Sequence, residues 1–380
     1  MAPARNLSLL CLTEAQMAMG TEFEKYLQRY VFPSLVIFGI LGNSLNLSVL
    51  LNKRMRSRAN NFLSLLAICD ICFLSLLIPN ILANVPLFTF NYYFRWIYFH
   101  SKVHLLTLAN WFSAGAIYCV IAVCTDRLIG IRNPLYIRSH VASYKMFLLL
   151  GSIILLPGIF TFYQHFAYVC LVRHYCRDTQ IYSVCLPVTQ ERWINNQTNP
   201  YKESFKQFIS VSKLLNITVI IICPIILLTT LNLLLLCVLR QRATKLLLNG
   251  DISSKPCVDN QKHHRTEQRV TLTVTLIVTM FTITNGPSAV DQLMQTIYPV
   301  AQPAIWYNLS LCCSTLVITG KASNFIVFCL FSKHFRNTAK QKLFAKFSRH
   351  PAQSKYKSSI QNPIDHSSTT AYFMSKKSLT

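Results

Sequence analysis

The sequence predicts an all-α membrane protein, a bundle of seven transmembrane helices followed by a short eighth helix that lies parallel to the membrane. The chain has 380 residues, of which 52% are hydrophobic and only 13% are charged, so it carries too little polar material to cover a soluble globule of its size. Seven apolar windows are each long enough to cross the hydrocarbon core of a bilayer, at roughly 31–52, 62–84, 103–125, 146–168, 208–239, 270–297 and 304–331.

The distribution of basic residues predicts the orientation of these spans. Most of the 37 Lys and Arg residues follow the first, third and fifth windows or lie in the tail, and basic loops stay on the cytoplasmic side. We therefore expect a multi-pass protein of the plasma membrane with an extracellular amino terminus and a cytoplasmic carboxyl terminus. The net charge of +24 is then a coat that faces anionic membrane lipids, and it requires no nucleic-acid partner.

This orientation divides the chain into four segments. They are an extracellular tail (1–29), the seven-transmembrane domain (30–331), an amphipathic eighth helix (332–350) and a Ser- and Thr-rich cytoplasmic tail that is predicted to be disordered (351–380). Asn6 and Asn196 begin Asn-x-Ser/Thr sequons on the outer side, so both are predicted glycosylation sites.

Charged residues inside or at the edge of the apolar windows are candidates for function. Asp126 and Arg127 end the third window, while Asp70 and Lys321 lie within the second and seventh windows. A charge in a membrane span is costly, so it is expected to face the bundle interior and to pair there. For Asp126–Arg127 an ordinary charged helix flank is the alternative, and for Asp70 a purely structural polar residue.

Several motifs follow one another in an ordered series between roughly residues 31 and 340. They are Asn43, Asp70, Asp126-Arg127-Leu128, Pro224, Pro287 and Asn324-Phe325-Ile326-Val327-Phe328. This order resembles that of the rhodopsin-like (class A) G-protein-coupled receptors. The Asn-Phe pair in the last motif, where the family has Asn-Pro, resembles invertebrate neuropeptide receptors of the FMRFamide and myosuppressin kind. The same region also fits a divergent chemosensory receptor.

The resemblance implies that Asp126, Arg127 and Glu267 control coupling to a heterotrimeric G protein. In family members, a residue at the position of Glu267 pairs the sixth helix with the arginine of the third-helix triplet. Arg127 would then bridge Asp126 and Glu267, and release of this ionic lock would let the sixth helix move outward. A solvated pair that contributes little is the alternative.

The resemblance also implies a transmission core between the ligand and the G protein. Asn285 stands where the family has a Trp that responds to ligand binding, and Phe328 stands where it has a Tyr, so the core departs from the family pattern at two positions. The predicted members of the core are Ile117, Pro224, Phe281, Asn285, Asn324 and Phe328.

Lys321 is a further departure from the family. It lies three residues before Asn324, one helical turn away, and too deep in its window to reach water easily. In the family, the second-helix Asp and the seventh-helix Asn converge on a polar cavity that often holds sodium, so we expect the Lys321 ammonium to replace that ion and to pair with Asp70. An opsin is disfavoured, because the family's retinal lysine would stand at Ile318. No cofactor and no metal are predicted.

The resemblance places a ligand pocket between the third, fifth, sixth and seventh helices. Ala109 occupies the position at which amine receptors carry Asp, which argues against an aminergic ligand. Amide side chains suit a peptide backbone or a carboxamide end. The predicted pocket residues are Asn80, Asn84, Asn110, Ser113, Lys213, Asn216, Ser288, Asp291, Gln292, Gln295 and Ser314.

The family's usual outer disulfide is not expected, because Lys102 stands at the position of its third-helix cysteine. Cys170, Cys176 and Cys185 lie in or near the outer loop between the fourth and fifth windows, so a local bridge is predicted there, with Cys176–Cys185 favoured. Cys11 in the outer tail is another candidate, and spacing alone leaves the pairing open.

Together these observations predict a G-protein-coupled receptor, without enzymatic activity, that transmits an extracellular signal to heterotrimeric G proteins. A neuropeptide is the expected ligand, and a chemosensory receptor for small molecules is the alternative. A small-solute transporter would show paired repeats with broken helices, which the sequence does not display. The Ser- and Thr-rich tail is a candidate docking strip for arrestin after phosphorylation.

Overall fold

Seven helices that are long and apolar enough to cross a membrane dominate the computed structural model, which describes residues 10–17, 20–52, 57–132, 143–191, 193, 198–248, 258–297, 304–331, 335–338 and 340–341. This confirms the predicted seven-helix bundle. The helices are α1 (Glu22–Leu50), α2 (Arg58–Leu82), α3 (Tyr92–Arg132), α4 (Ser143–Thr161), α5 (203–248), α6 (Val258–Ile297) and α7 (Ala304–Phe331).

The helices pack as a closed ring around α3. Neighbouring helices along the chain contact each other from α1 to α4, α5 contacts α6, α6 contacts α7, and α7 returns to α1. The central helix α3 touches α2, α4, α5 and α6, and its residues Cys119, Val120, Val123 and Cys124 are almost completely buried in the largest apolar cluster. The interior of the ring is therefore the place where polar side chains need partners.

Several helices extend beyond the apolar windows. α3 begins at Tyr92 rather than near residue 103, and α5 and α6 continue past the hydrophobic stretches at one end. In α5 a wider helical turn, Ile217–Ile222, comes directly before Cys223 and Pro224. Proline lacks a backbone N–H, and local widening is a usual way for a membrane helix to accommodate it. The length of an apolar window thus predicts the membrane crossing and not the whole helix.

A two-stranded hairpin lies between α4 and α5 and was not part of the predicted all-α fold. Its strands are β1 (Tyr168–Tyr175) and β2 (Gln180–Pro187), which pair in antiparallel register. We call the end of the bundle that carries this hairpin the hairpin end, and the opposite end, where α3 carries Asp126, the Asp126 end. The predicted eighth helix (332–350) is described only at 335–338, which is helical, and at 340–341.

Two disulfides hold the hairpin, and the favoured Cys176–Cys185 pairing was wrong. Cys170 faces Cys185 across the two strands and bonds to it, with Cα atoms 3.9 Å apart. Cys176 follows β1 at the turn and bonds to Cys11 instead, with a Cα separation of 4.3 Å. Cys185 lies six positions into β2, about 17 Å of extended strand from the turn, so Cys176 cannot reach it while the register holds.

Arg95 of α3 ties three separate segments together at the hairpin end. Its side chain is 2% exposed and donates hydrogen bonds to the carbonyl oxygens of Ile181 (3.0 Å), Met17 (3.1 Å) and Thr89 (3.0 Å). These residues belong to the hairpin, to the short amino-terminal helix Glu14–Met17 and to the connection between α2 and α3. Arg95 thus anchors the hairpin on α3.

Peptide mapping under non-reducing conditions should recover Cys11–Cys176 and Cys170–Cys185 as the linked pairs, because the strand register separates Cys176 from Cys185. Replacing Cys11 and Cys176 together by Ser should lower the thermal unfolding midpoint of the purified protein, since the amino-terminal segment loses its covalent tie to the hairpin. The matched control is Cys237→Ser, which removes an exposed free thiol. Recovery of a Cys176–Cys185 peptide would contradict the assignment.

Candidate functional site

A buried ion pair joins α2 and α7 in the middle of the bundle. Lys321 is 1% exposed and Asp70 is completely buried, and Lys321 Nζ lies 3.3 Å from Asp70 Oδ1. Asn324, one helical turn after Lys321, donates from Nδ2 to the other carboxylate oxygen, Oδ2. Residues three apart on a helix share one face, so the sequence spacing brings the ammonium and the amide to the same carboxylate.

The same ion pair is linked to α1 through Asn43. Asn43 Nδ2 donates to the backbone oxygens of Gly39 (2.9 Å) and Lys321 (3.0 Å). A Cβ atom at Gly39 would lie 2.9 Å from the Cα of Ala322 on α7, so glycine permits the close approach of these two helices. We refer to Asn43, Asp70, Lys321 and Asn324 as the polar centre, in which α1, α2 and α7 meet.

An aromatic ring covers the polar centre on the side of the hairpin end. The ring centroid of Phe73 lies 4.8 Å from Lys321 Nζ, a cation–π distance, and Phe73 is buried in the bundle. Phe73 also lines the cavity described next. Sequence reasoning missed this residue, although its position three residues after Asp70 places it on the same face of α2.

A cavity of about 270 Å³ opens between α3, α5, α6 and α7 above the polar centre. Six of the predicted pocket residues line it: Asn110, Ser113, Asn216, Ser288, Gln292 and Ser314. Ala109 lines it as well, at the position where amine receptors carry Asp. None of the described lining residues is charged, so the cavity is an apolar chamber with hydroxyl and amide groups on its wall.

The other predicted pocket residues do not line the cavity. Asn80 accepts a hydrogen bond from the hydroxyl of Tyr98 (2.7 Å), and Asn84 donates to the backbone oxygen of Asn80 (3.0 Å). The Asn80 amide therefore holds α2 to α3, whereas the Asn84 amide bonds back onto the end of α2. Lys213 is exposed on α5.

Asp291 and Gln295 form a separate pair on α6 at the hairpin end. Gln295 Nε2 donates to Asp291 Oδ2 (2.9 Å) and to Ser310 Oγ of α7 (3.3 Å). Asp291 is 8% exposed and lies outside the cavity lining. These two residues connect α6 to α7 rather than facing the cavity.

Gln164 is a cavity residue that sequence reasoning missed. It lies in the short 3₁₀ turn Phe162–His165 after α4, and its Oε1 accepts a hydrogen bond from Asn110 Nδ2 at 2.8 Å. The available signal was an amide inside the predicted fourth window, where a polar side chain is expected to face the bundle. The resemblance directed attention to other helices instead.

The predicted transmission core lies mainly at the floor of the cavity. Ile117, Pro224, Phe281 and Asn285 all line it, from α3, α5 and α6. Asn285 Nδ2 donates to Phe281 O (2.9 Å) and to Thr284 Oγ1 (3.2 Å), so its amide lies along α6 beside the cavity. Asn324 belongs to the polar centre instead. The side chain of Phe328 is outside the described residues.

At the Asp126 end, α2 supplies a partner that the sequence did not indicate. Asp126 Oδ1 lies 3.6 Å from Nε of Arg58, the first residue of α2. The adjacent Arg127 occupies the last two turns of α3, and Glu267 lies on α6, but the side chain of Glu267 is outside the described residues. The predicted glycosylation sites Asn6 and Asn196 are outside them as well.

A known protein family matches most of this chain. The family model described as "Serpentine type 7TM GPCR chemoreceptor Srw" matches residues 30–346, which include most of α1, the other six helices, the polar centre and the cavity. The chain belongs to the Srw family. It is accordingly a G-protein-coupled receptor, whose family implies an extracellular ligand and coupling to a G protein.

Two proteins of Caenorhabditis elegans resemble this Srw-family receptor over most of its length. "Putative G-protein coupled receptor F59B2.13" is 35% identical over 335 residues, which cover 88% of this chain and 77% of the relative. "Probable G-protein coupled receptor B0563.6" is 27% identical over 321 residues, which cover 82% of this chain and 68% of the relative. These relatives support the receptor assignment, while neither name specifies a ligand.

The buried ion pair of this Srw-family receptor generates a stability prediction. Lys321→Met and Asp70→Asn should each lower the free energy of unfolding by about 3–5 kcal/mol. Each substitution removes one partner of the ion pair and leaves the other partner's charge unpaired inside the bundle. The double substitution removes both charges, so its loss of free energy of unfolding should be smaller than the sum of the losses in the two single variants. Thermal unfolding in lipid nanodiscs measures this, with Lys213→Met as the exposed-lysine control.

The same experiment in sodium chloride against choline chloride tests the role of the ammonium. The unmodified receptor should show no sodium-specific stabilisation, because Lys321 already compensates Asp70. Lys321→Met should gain it, since the carboxylate then needs another cation. Strict additivity of the two substitutions, or sodium stabilisation of the unmodified receptor, would refute the prediction.

Proposed function

We propose that this Srw-family protein is a plasma-membrane receptor that takes a neutral ligand into the cavity and signals to a heterotrimeric G protein at the Asp126 end. The observation that carries the proposal is the absence of charge among the described residues that line the cavity. A ligand group with a net charge would lose its hydration there without gaining a counterion. An uncharged group with amide or hydroxyl functions would find donors and acceptors.

The proposed orientation places the hairpin end outside the cell and the carboxyl terminus in the cytoplasm. Both disulfides lie at the hairpin end, and disulfides persist in oxidising surroundings. In the sequence, basic residues concentrate where α1, α3 and α5 end, and the described Arg58, Arg132 and Arg240 lie toward the Asp126 end of their helices, where they would face the anionic inner leaflet. These two independent features support the same orientation.

An amidated neuropeptide is the ligand that we propose first. A peptide carboxamide is neutral and both donates and accepts hydrogen bonds, as the amides of Asn110, Gln164 and Asn285 do. The cavity, at about 270 Å³, lies at the lower limit of typical ligand sites, so it would hold one end of a peptide and not the whole chain. The hairpin at the same end supplies further surface for the remainder of the peptide.

A small, neutral chemosensory ligand is the second candidate. The description of the Srw family model as a chemoreceptor favours it. The cavity volume also suits a compact apolar molecule without any peptide extension. Both candidates require the same uncharged wall, and they differ in whether contacts outside the cavity contribute to binding.

Signal transmission is proposed to run from the cavity to the polar centre and then along α6 and α7. A ligand in the cavity can contact Phe73, whose ring lies over Lys321, as well as Phe281 and Asn285 of α6. Displacing Phe73 would change the surroundings of the Asp70–Lys321 pair, and thereby the fit of α7 against α2. Release of α6 would then expose Arg127 to the G protein, and a phosphorylated tail would recruit arrestin.

Ligand identity is tested by screening cells that carry the receptor for G-protein activation. Amidated peptides, the same peptides as free acids, and neutral small molecules form the three arms. Gln292→Leu should lower the potency of an active ligand about tenfold, because it leaves a hydrogen-bonding ligand group unpaired. Thr296→Val, one turn further along α6 and outside the cavity lining, is the matched control.

Amidated peptides that activate more strongly than their free acids would support the peptide proposal. Activation by small molecules alone would support the chemosensory candidate. A ligand whose net charge is needed for activity, with equal effects of the two substitutions, would overturn the proposed neutral site.

The proposed lock at the Asp126 end predicts ligand-free signalling. Glu267→Ala should raise basal G-protein activation about fivefold, since the loss of a pair that contributes about 1 kcal/mol to the inactive state shifts the equilibrium by that factor. Gln268→Ala, the next residue on α6, is the control for loss of a polar side chain. Basal activity that is unchanged at equal surface expression would argue against Glu267 as the partner of Arg127.

A further inference from the structure

Two histidines meet at the hairpin end, outside the cavity and the polar centre. Nδ1 of His104 on α3 lies 2.9 Å from Nδ1 of His165, which ends the 3₁₀ turn after α4, and the ring centroids are 5.1 Å apart. His104 is exposed and His165 is half-buried. The two nitrogens thus face each other between α3 and the turn after α4, near the outer limit of the third and fourth apolar windows.

The spacing of the facing nitrogens fits a shared metal ion as well as a hydrogen bond between the two rings. Between neutral imidazoles, one Nδ1 must donate a proton and the other must accept it, which is a single hydrogen bond. If both rings are the Nε2–H tautomers, both Nδ1 lone pairs point into the same gap. A tetrahedral Zn²⁺ with Zn–N bonds of about 2.0–2.1 Å holds two nitrogens roughly 3.3 Å apart. The rings would need to separate by only about 0.4 Å.

We propose that His104 and His165 form a binding site for a divalent transition-metal ion of the zinc type. Imidazole nitrogen is a common ligand of such ions, and no proton is lost overall, because the donating ring only changes tautomer. The described residues contain no group of three or more His, Cys, Asp and Glu side chains that could hold a metal. The protein therefore supplies two ligands and water completes the coordination, which makes the site weak and reversible.

Both histidines of the proposed metal site are close in the chain to residues that line the cavity. Gln164, the residue before His165, lines the cavity and accepts the hydrogen bond of Asn110. His104 lies on α3 less than two turns before Asn110. An ion that bridges the two histidines would fix the end of α4 against α3, and with it the Asn110–Gln164 contact. Metal binding should thus alter the affinity of whatever ligand occupies the cavity.

Binding of Zn²⁺ alone to the full-length receptor in nanodiscs tests the proposal, and it needs no ligand or G protein. Calorimetric titration should give one saturable site. His104→Asn and His165→Asn should each weaken it at least about tenfold, since the loss of an outer-shell partner already costs that much. His100→Asn is the matched control: it lies one turn from His104 on α3, but its ring contacts Trp96.

Spectroscopy of the unmodified receptor provides a second test that does not depend on the folding of a variant. Cu²⁺ bound in place of Zn²⁺ should show splitting from two nitrogen ligands in its electron paramagnetic resonance spectrum. Absence of a saturable Zn²⁺ site, a spectrum without two nitrogens, or equal weakening by His100→Asn would overturn the proposal. A positive result would stand even if the proposed ligand class proved wrong, because neither measurement involves that ligand.

Discussion

The buried pair of Asp70 and Lys321 is the interaction on which the rest of the bundle depends. Two opposite charges at 1% exposure or less cannot be separated without leaving a bare charge in an apolar interior. The pair therefore fixes α2 against α7, and Asn43 extends the constraint to α1. Because the cavity lies directly above this polar centre and shares Phe73 with it, the geometry of the ligand chamber follows from the position of the pair.

The two ends of the bundle are organised by different kinds of interaction. At the hairpin end, two disulfides and the buried guanidinium of Arg95 connect segments that are far apart in sequence. At the Asp126 end, apolar packing of α2 against α3 is joined by the longer ion pair of Asp126 with Arg58. A covalently braced end suits a fixed ligand entrance, whereas a partly exposed ion pair can break at low cost.

Parts of the candidate site could be predicted because they follow from local chemistry. A lysine deep in a membrane span needs a carboxylate, and the family resemblance pointed to Asp70 as its partner, which is the contact that the structure contains. The polar cavity wall was predicted only in part. Asn80, Asn84, Asp291 and Gln295 have the right side chains but make other contacts, because the direction in which a helix presents a residue depends on its rotation against its neighbours.

The seven spans and the need for internal charge pairing could be predicted from the residues alone, since hydropathy and the cost of a buried charge act residue by residue along the chain. The disulfide prediction rested on the position of the cysteines in the outer loop, and it gave the wrong pairing. The hairpin register, which places Cys170 opposite Cys185, became evident only in the folded protein. The same holds for the disulfide between Cys11 and Cys176 and for the contact between His104 and His165. Such contacts join residues far apart in sequence, so they depend on how the helices pack and leave no periodic signal in the chain.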